Sequence, residues 1–495
     1  MHSPRRTVLR LGSLVLAGIS GCLGKRKNDS GAADEPTTVP PIETPPPTPA
    51  AETTTDTETA DTETTDPEES APGNPIPAEN DLPGDSGWRP GGSPDDPRSI
   101  EGYTTADSVA PGETLEFCVS TDPAARYHVA IYRLRWYDGA GGRELASLPT
   151  NRSRPRPISE PSGPRQLIGC DWPVTDRIDV PKEWVSGLYI ARFVLDSGSA
   201  AGESTAYPFV VREPSSKRRA KAVVQLPLAT QQAYDSWGGK GLYAFVSDGK
   251  RAYAISYDRP YENPFNCHLG YSIHLLRWLE QVGYHVSYVS DHDVHRDPAL
   301  LTEYGMAISS GHDEYWSLEQ RRGFETARDG GTNLAFIGSD TCRWQVRYRD
   351  NGRTMVCYKN DAERDPIQGL RTTDEFRSGK YPEAALLGVE SAGGGEWEFP
   401  DLSVVNGRLD YPWFDDTGFE QGDTVIGCVG HEWDHVVDAS PGDVEKLFHY
   451  EKRTSSLEGV LNNSDADTTV YERNGGQVFA IGTMGWTWRI DPDPT

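Results

Sequence analysis

Apolar and polar positions alternate along "ETLEFCVST", "YHVAIYRLRWY", "GLYIARFVLD" and "AYPFVVR", all between Ile100 and Arg212. Alternation of this kind, interrupted by turn residues, predicts short β-strands. The expected product is an immunoglobulin-like β-sandwich over residues 95–213. Its strands carry no constellation of reactive side chains, so the expected role is that of a spacer or docking module.

The period changes near Ala220. "AKAVVQLPL" reads as a strand, and "YSIHLLRWLEQVG" spaces its apolar residues three and four apart before stopping at Gly283, as a helix does. "YHVSYVS", "GMAISSG" and "TNLAFIGS" then read as strands, separated by the helical segments "DPALLTEY" and "SLEQRRGFETARDGG". Strand–helix alternation predicts a parallel sheet covered on both faces. Ligands of such sheets bind beyond the carboxyl ends of the strands. Three successive strands run into polar clusters at that edge: Asp291, His292, Asp293 and His295; His312, Asp313 and Glu314; Asp340, Thr341, Cys342 and Arg343. A functional cleft is expected where they meet. This α/β unit is read over residues 218–495, with the parallel core at 218–345 and strand-rich additions at 346–495. "CVGHEWDHVVD" and "VFAIGTMGWTWRID" stand out in the additions.

The N-terminal segment reads as an address. "SPRRTVLRLGSLVLAGISGC" has the twin arginines Arg5 and Arg6, a short apolar run and the lipobox-like "ISGC", so residues 1–22 are expected to direct twin-Arg export and Cys22 to be lipidated. The apolar run is short for a membrane span. Residues 23–92 are rich in Thr, Pro, Asp and Glu, with no Lys or Arg between Lys27 and Arg89. Such a segment repels itself and cannot bury a core, so a disordered tether is expected. The resulting picture is an exported protein at the cell surface, held to the membrane by a lipid anchor.

Charge narrows the partners. The 495 residues carry 48 Lys and Arg against 75 Asp and Glu, a net charge of −27, which argues against nucleic acid as a partner. An acidic shell with much Asp and little Lys fits a halophilic protein. Of the seven cysteines, Cys22 belongs to the lipobox, and Cys118 and Cys170 form a candidate disulfide within the sandwich. The others show no CxxC spacing, which excludes a zinc finger.

His312 and Glu314, two residues apart beyond a strand, suit a metal or a general base beside one. The competing reading gives Asp313 a helix-capping role, with Glu314 favourable in a first helical turn. "QQAYDSWGGKGLY" follows the first strand of the sheet, and its Tyr234 and Tyr243 supply either buried hydrogen-bonded phenols or hard oxygen ligands for ferric iron. Asp291 and Asp293 with His295 have the composition of a cation site, and equally of N-caps and ion pairs. Glu432, in "GHEWDH", is a candidate acid or base. No G-x-S-x-G elbow and no cysteine after the Met306–Ser310 strand offer a covalent nucleophile.

"AYDSWGGKGLY", "SYDRPY", "LLRWLEQVGYHVSYVSDHDVHRDPALL", "SSGHDEYWS", "NLAFIGSDTCRWQVR" and "HEWDH" together resemble the large (β) subunit of N,N-dimethylformamidase, from about Lys221 to the C-terminus. The resemblance implies a core like that of class I glutamine amidotransferases without their cysteine. It implies hydrolysis of a small amide at a mononuclear non-haem iron held by two tyrosines and a glutamate. Carried over, the ligands are Tyr234, Glu314 and Tyr243, with Tyr253, Tyr257 and Tyr261 competing for the place of Tyr243. His312 and Glu432 match catalytic residues. Asp340 stands where the enzyme has asparagine, which favours a substrate other than dimethylformamide. The resemblance also implies a small subunit, which this chain does not encode. The expected function is thus a surface-tethered, metal-dependent hydrolase of a small amide or other C–N bond. The alternative is a non-catalytic surface lipoprotein whose cleft binds a glycan or peptide.

Overall fold

The apolar strands between Ile100 and Val211 form two sheets. Ile100–Thr104, Thr114–Thr121 and Asp176–Asp179 make the smaller. The larger is six-stranded, with Ala125–Leu134 and Gly187–Leu195 antiparallel near its centre. Leu115, Phe117 and Val119 of the first sheet share a core with Val129, Ile131, Tyr189, Phe193 and Phe209 of the second. The computed structural model describes residues 73–89, 98–214, 220–265, 267–379, 381–396, 400–405, 414, 419–425, 427–451 and 465–490. The export signal, Cys22 and the tether as far as residue 72 lie outside the described residues.

The second face of the six-stranded sheet is also buried. Ala130, Tyr132, Leu134, Leu188, Ile190 and Val210 enter a core with Val224, Leu275, Leu279 and Tyr288 of the α/β unit. Burial on both faces explains why "YHVAIYRLRWY" and "GLYIARFVLD" are so rich in apolar residues. It also corrects the expectation of a spacer, because the two-sheet body is built into the α/β unit.

One ion cluster sits in this join. Glu280 lies in the last turn of the Cys267–Gln281 helix, where the helix dipole disfavours an acid. Arg133 approaches its carboxylate at 2.8 and 3.0 Å, the Arg135 Nε donates to it, and the Tyr288 hydroxyl donates at 3.1 Å. The arginine and glutamate side chains are fully buried. Residues 73–89, expected to end the tether, join the same region. Ile76–Asn80 is a helix with Ile76 buried, Asn80 donates to Glu280 at 3.0 Å, and Trp88 packs in the core. An apolar side chain at each end of this segment gives it a surface to bury, which the Thr-rich stretch before it lacks.

The α/β unit is organised on a nine-stranded sheet. Val286–Ser290, Ala222–Leu226, Met306–Ser310, Asn333–Ile337 and Gly476–Ala480 lie side by side and parallel, in that order. Ala466–Arg473, Glu445–Tyr450, Leu402–Val404 and Thr424–Val425 extend the sheet antiparallel. The last parallel strand comes from the C-terminal additions, so the parallel core is not confined to 218–345. "DPALLTEY" forms a single 3₁₀ turn at Leu300–Glu303 rather than an α-helix, because Pro298 and Gly305 leave room for little more. The Leu318–Asp329 helix starts on Ser317, whose hydroxyl and the Gln320 side chain cap each other's backbone. The whole is a strand-rich mixed α/β fold with few helices.

Cys118 and Cys170 are free thiols, so the candidate disulfide is not formed. Burial pushes the Cys118 thiol up to about 11, which keeps it protonated and unreactive at neutral pH. No helix among the described residues is long and apolar enough to cross a membrane.

Glu280→Leu leaves Arg133 and Arg135 buried without their carboxylate. The expected loss is about 3–5 kcal/mol, read by denaturant unfolding, and Glu280→Gln is expected to lose less because it keeps an acceptor. Wild-type stability in both variants would show that the cluster does not hold the join together.

Candidate active site

The parallel register brings the strand ends to one edge, with Leu226 beside Ser290 and Ser310 beside Ile337. Gly338 makes the closest approach possible, since a Cβ there would fall 1.9 Å from the Gly311 carbonyl oxygen. Gly311 itself takes φ +67° and turns the chain out of the sheet. Beyond it the side chains of "HDEYW" part. Asp313 turns back to accept from Gln225 at 2.5 Å and Ser309 at 2.8 Å. Trp316 packs on Phe324 and Phe336. His312 and Glu314 are directed into the cleft.

Glu314 is 1% exposed, and its backbone N–H is held by the Thr230 hydroxyl at 3.0 Å. The Trp344 indole donates to its Oε1 at 2.7 Å, and the Tyr243 hydroxyl lies 2.9 and 3.1 Å from its two oxygens. The hydroxyls of Tyr243 and Tyr234 are 2.8 Å apart. Tyr234 ends the Leu228–Tyr234 helix, and both tyrosines remain partly open to solvent. Burial and the Glu314 charge push both phenols well above their usual range, so they are neutral without a cation. The competitors lie elsewhere: Tyr253 donates to Asp361, Tyr257 packs on His292, and Tyr261 packs on Tyr207.

His312 Nε2 is 3.1 Å from Glu432 Oε2, 3.5 Å from Glu314 and 3.9 Å from Asp340. Burial alone would lower its pKa, but the carboxylates of Glu432, Asp340 and Glu314 raise it well above the usual imidazole range. The other ring nitrogen, Nδ1, meets His268 Nδ1 at 2.8 Å. His268 is driven down to about 2 by burial and by the His312 charge, so it is neutral and accepts the proton that His312 donates. Asp340 sits on a left-handed backbone, φ +55°, with its N–H on Asp434 at 2.9 Å. Both Asp340 oxygens accept from Arg343, at 3.1 and 3.3 Å. Burial opposes ionisation of Asp340, but Arg343 and His312 hold its carboxyl well below the usual range. His312, Glu314 and Asp340 each offer an atom within 4.8 Å of the others.

Three residues of the site were absent from the sequence reading. His268 is the second residue of a helix and far from His312 in sequence. Trp344 follows the Asp340 cluster and opens the Trp344–Arg349 strand, which pairs with Tyr315–Ser317. Lys359 is 4% exposed, with Nζ 2.7 Å from the Tyr315 hydroxyl and 3.1 Å above the Tyr243 ring. Burial lowers its amine to about 7. The aromatic residues around "HDEYW" hinted at ring partners, but nothing in the chain pointed to this lysine.

The first polar cluster does not join the cleft. His292 pairs with Asp107 at 2.6 Å, Asp293 caps its own helix from Ser290, and His295 meets Ser317 at 2.8 Å. Asp107, Asp291 and His292 form a separate buried group, but Arg296 and Arg353 face it at 3.8 and 3.9 Å from Asp107. The paired cations supply charge that a metal would otherwise bring.

Asp313 gives this edge a pH dependence. Burial raises its carboxyl from 3.8 to about 6, against the donors that lower it. A raised folded pKa contributes stability that is complete below about 3.8 and is lost as pH rises through about 6. The expected size is about 3 kcal/mol. Comparing the pH profiles of unfolding for wild type and Asp313→Asn checks it: the wild type is expected to fall relative to the variant between pH 4 and 7, and parallel profiles would contradict this.

No curated protein matches the chain. The family described as N,N-dimethylformamidase beta subunit-like, C-terminal, matches residues 128–495, beginning well before Lys221 and taking in Arg133, Arg135 and the larger part of the six-stranded sheet. With that match spanning both the cleft and the join that supports it, the chain belongs to the N,N-dimethylformamidase beta subunit-like family.

Proposed function

We propose that the protein is a metal-dependent hydrolase of a small amide or similar C–N bond. The observation that carries this reading is the Tyr243 hydroxyl, set 2.8 Å from the Tyr234 hydroxyl and 2.9 and 3.1 Å from the Glu314 oxygens. Ligand oxygens that share a metal at about 2.1 Å lie about 3 Å apart, and hard oxygens suit a hard cation. Three carboxylates, those of Glu314, Asp340 and Glu432, surround one imidazole, so the pocket also has negative charge to neutralise. These residues fit iron, with Tyr234, Tyr243 and Glu314 as its ligands. When bound, iron supplies Lewis-acid polarisation of the amide carbonyl and a more acidic water.

The chain's own groups move the protons. Glu432 Oε2 takes a proton from the attacking water as the C–O bond forms. His312 returns one to the amine nitrogen as the C–N bond breaks. His268 fixes the His312 tautomer so that Nε2 faces Glu432. The family name, with its beta subunit, supports a multi-subunit assembly. The two-sheet body reads as immunoglobulin-like, and the parallel core as similar to class I glutamine amidotransferases.

Metal analysis and visible absorption of protein from iron-replete cells test the site. The wild type is expected to bind about one iron per chain with a phenolate-to-ferric band. Glu314→Ala is expected to lose most of both, and at least about 100-fold of any amidase activity, while its circular dichroism stays native. Colourless, metal-free wild type would overturn the iron reading, and ligand binding without turnover would favour a surface binding protein. For localisation, we propose twin-Arg export and lipid anchoring at Cys22. Cys22→Ser is expected to release the protein from membranes or leave it unprocessed, and wild-type fractionation and processing would refute the anchor.

A further inference from the structure

Arg259 is fully buried, and the reaction as proposed does not use it. A guanidinium carries five N–H groups in a planar fork. Here every nitrogen is engaged. Nε donates to the Gln232 side chain at 3.3 Å. One terminal nitrogen donates to the carbonyls of Trp237 and Lys240 at 3.4 and 2.6 Å, and the other to those of Gln232 and Asp235 at 3.0 and 3.3 Å. The Asp235 carboxylate lies 3.9 Å away, and its own oxygens accept from the N–H groups of Trp237, Glu262 and Asn263. Arg259 is therefore a clamp on the main chain more than one half of an ion pair.

The clamped carbonyls come from two places. Gln232 and Asp235 stand at the end of the Leu228–Tyr234 helix, where carbonyls lack intrahelical partners and a cation is favoured. Trp237 and Lys240 flank the turn that follows, which passes through left-handed Gly238 and Gly239 at φ +69° and +73°. The chain then returns, and the Leu242 N–H donates to the Ala233 carbonyl at 2.9 Å. Tyr234 and Tyr243 each come one residue after an end of that bond. Their rings lie 4.4 Å apart and their hydroxyls 2.8 Å apart. Without the guanidinium, four carbonyls would be gathered around one point with no donor, and a buried acceptor left so is costly enough to open the turn.

We propose that Arg259 is a positioning residue that holds Tyr234 and Tyr243 at ligand spacing before a metal arrives. The inference rests on the iron reading above. Arg259 touches neither metal nor substrate: it orders the chain that carries both phenols, so that binding does not have to bear the cost of ordering it.

Full-length wild type, Arg259→Met and Arg259→Lys are compared without metal by hydrogen–deuterium exchange and circular dichroism, then by ferric-iron titration followed in the visible. Arg259→Met is expected to keep native circular dichroism and wild-type exchange in the Asn333–Ile337 strand, while amides of residues 236–250 exchange faster by about 10-fold or more. Its iron affinity is expected to fall by about 10-fold or more. Arg259→Lys keeps the charge but replaces the fork by three donors on one atom, so it is expected to change both properties in the same direction by less. It also carries the test if Arg259→Met does not fold. A coloured wild type whose loop exchange or iron affinity is unchanged in the variants would overturn the role of Arg259 alone. Exchange that quickens equally throughout the chain would overturn it too, because it marks general destabilisation. A colourless wild type overturns the iron reading and this inference with it.

Discussion

The buried Glu280 carboxylate is the constraint on which the rest depends. It is fixed by two arginines from the two-sheet body and sits near one end of the Cys267–Gln281 helix. The other end of that helix carries His268, which meets His312 at 2.8 Å. A rigid helix thus connects the join between the two bodies to the orientation of a cleft imidazole. A unit cut at residue 218 would leave Glu280 without Arg133 and Arg135 and would expose one face of the nine-stranded sheet's apolar cover. The start of the family match at residue 128 is physically sensible for this reason.

The cleft differs from the Asp107 cluster through its charge balance and its openness. Around Asp107, two arginines and a histidine face two carboxylates, with Asp107, Asp291 and His292 themselves buried. In the cleft, Arg343 is committed to Asp340 and Glu375, which leaves Glu314 and Glu432 to be balanced by His312 and by phenol or indole donors. Neutral donors satisfy hydrogen-bonding capacity but not charge. Tyr234 and Tyr243 also stay partly exposed, which gives the cleft an entry that the Asp107 cluster lacks.

Much of this was legible in the sequence because strand–helix alternation fixes which ends of parallel strands share an edge. His312, Glu314, Asp340, Tyr234 and Tyr243 were named from that rule and the family resemblance, and the fold gathers them. The misreadings have common physical causes. The competing reading of Asp313 as a cap fails because the helix starts four residues further on, capped by Ser317 with Gln320. The 3₁₀ turn at Leu300–Glu303 has helical composition but too little length. His268 and Lys359 reach the site through packing between distant segments, and a one-dimensional pattern carries no trace of that. The sandwich reads as a spacer in the sequence because alternation shows a strand's inner face clearly, while an outer face buried by another body looks like ordinary apolar variation.

The committed cations also bear on what the cleft can accept. Arg343 holds Asp340 and Glu375, and Lys359 is buried among the rings of Tyr243, Trp344 and Tyr315. An anionic substrate would therefore meet Glu432 and Glu314 without a free positive side chain from either of these residues to offset their charge, and that repulsion is strong where water is excluded. At the mouth stands Phe245, 73% exposed and packed on the ring of Tyr243 at 4.9 Å, an apolar surface that water solvates poorly. A small neutral molecule with an apolar side and one strong acceptor suits this arrangement: the apolar side rests on the aromatic mouth, and the acceptor faces the donors inside. The amide of the proposed function is such a molecule, and the same charge balance that would favour a bound cation disfavours a substrate that carries its own negative charge.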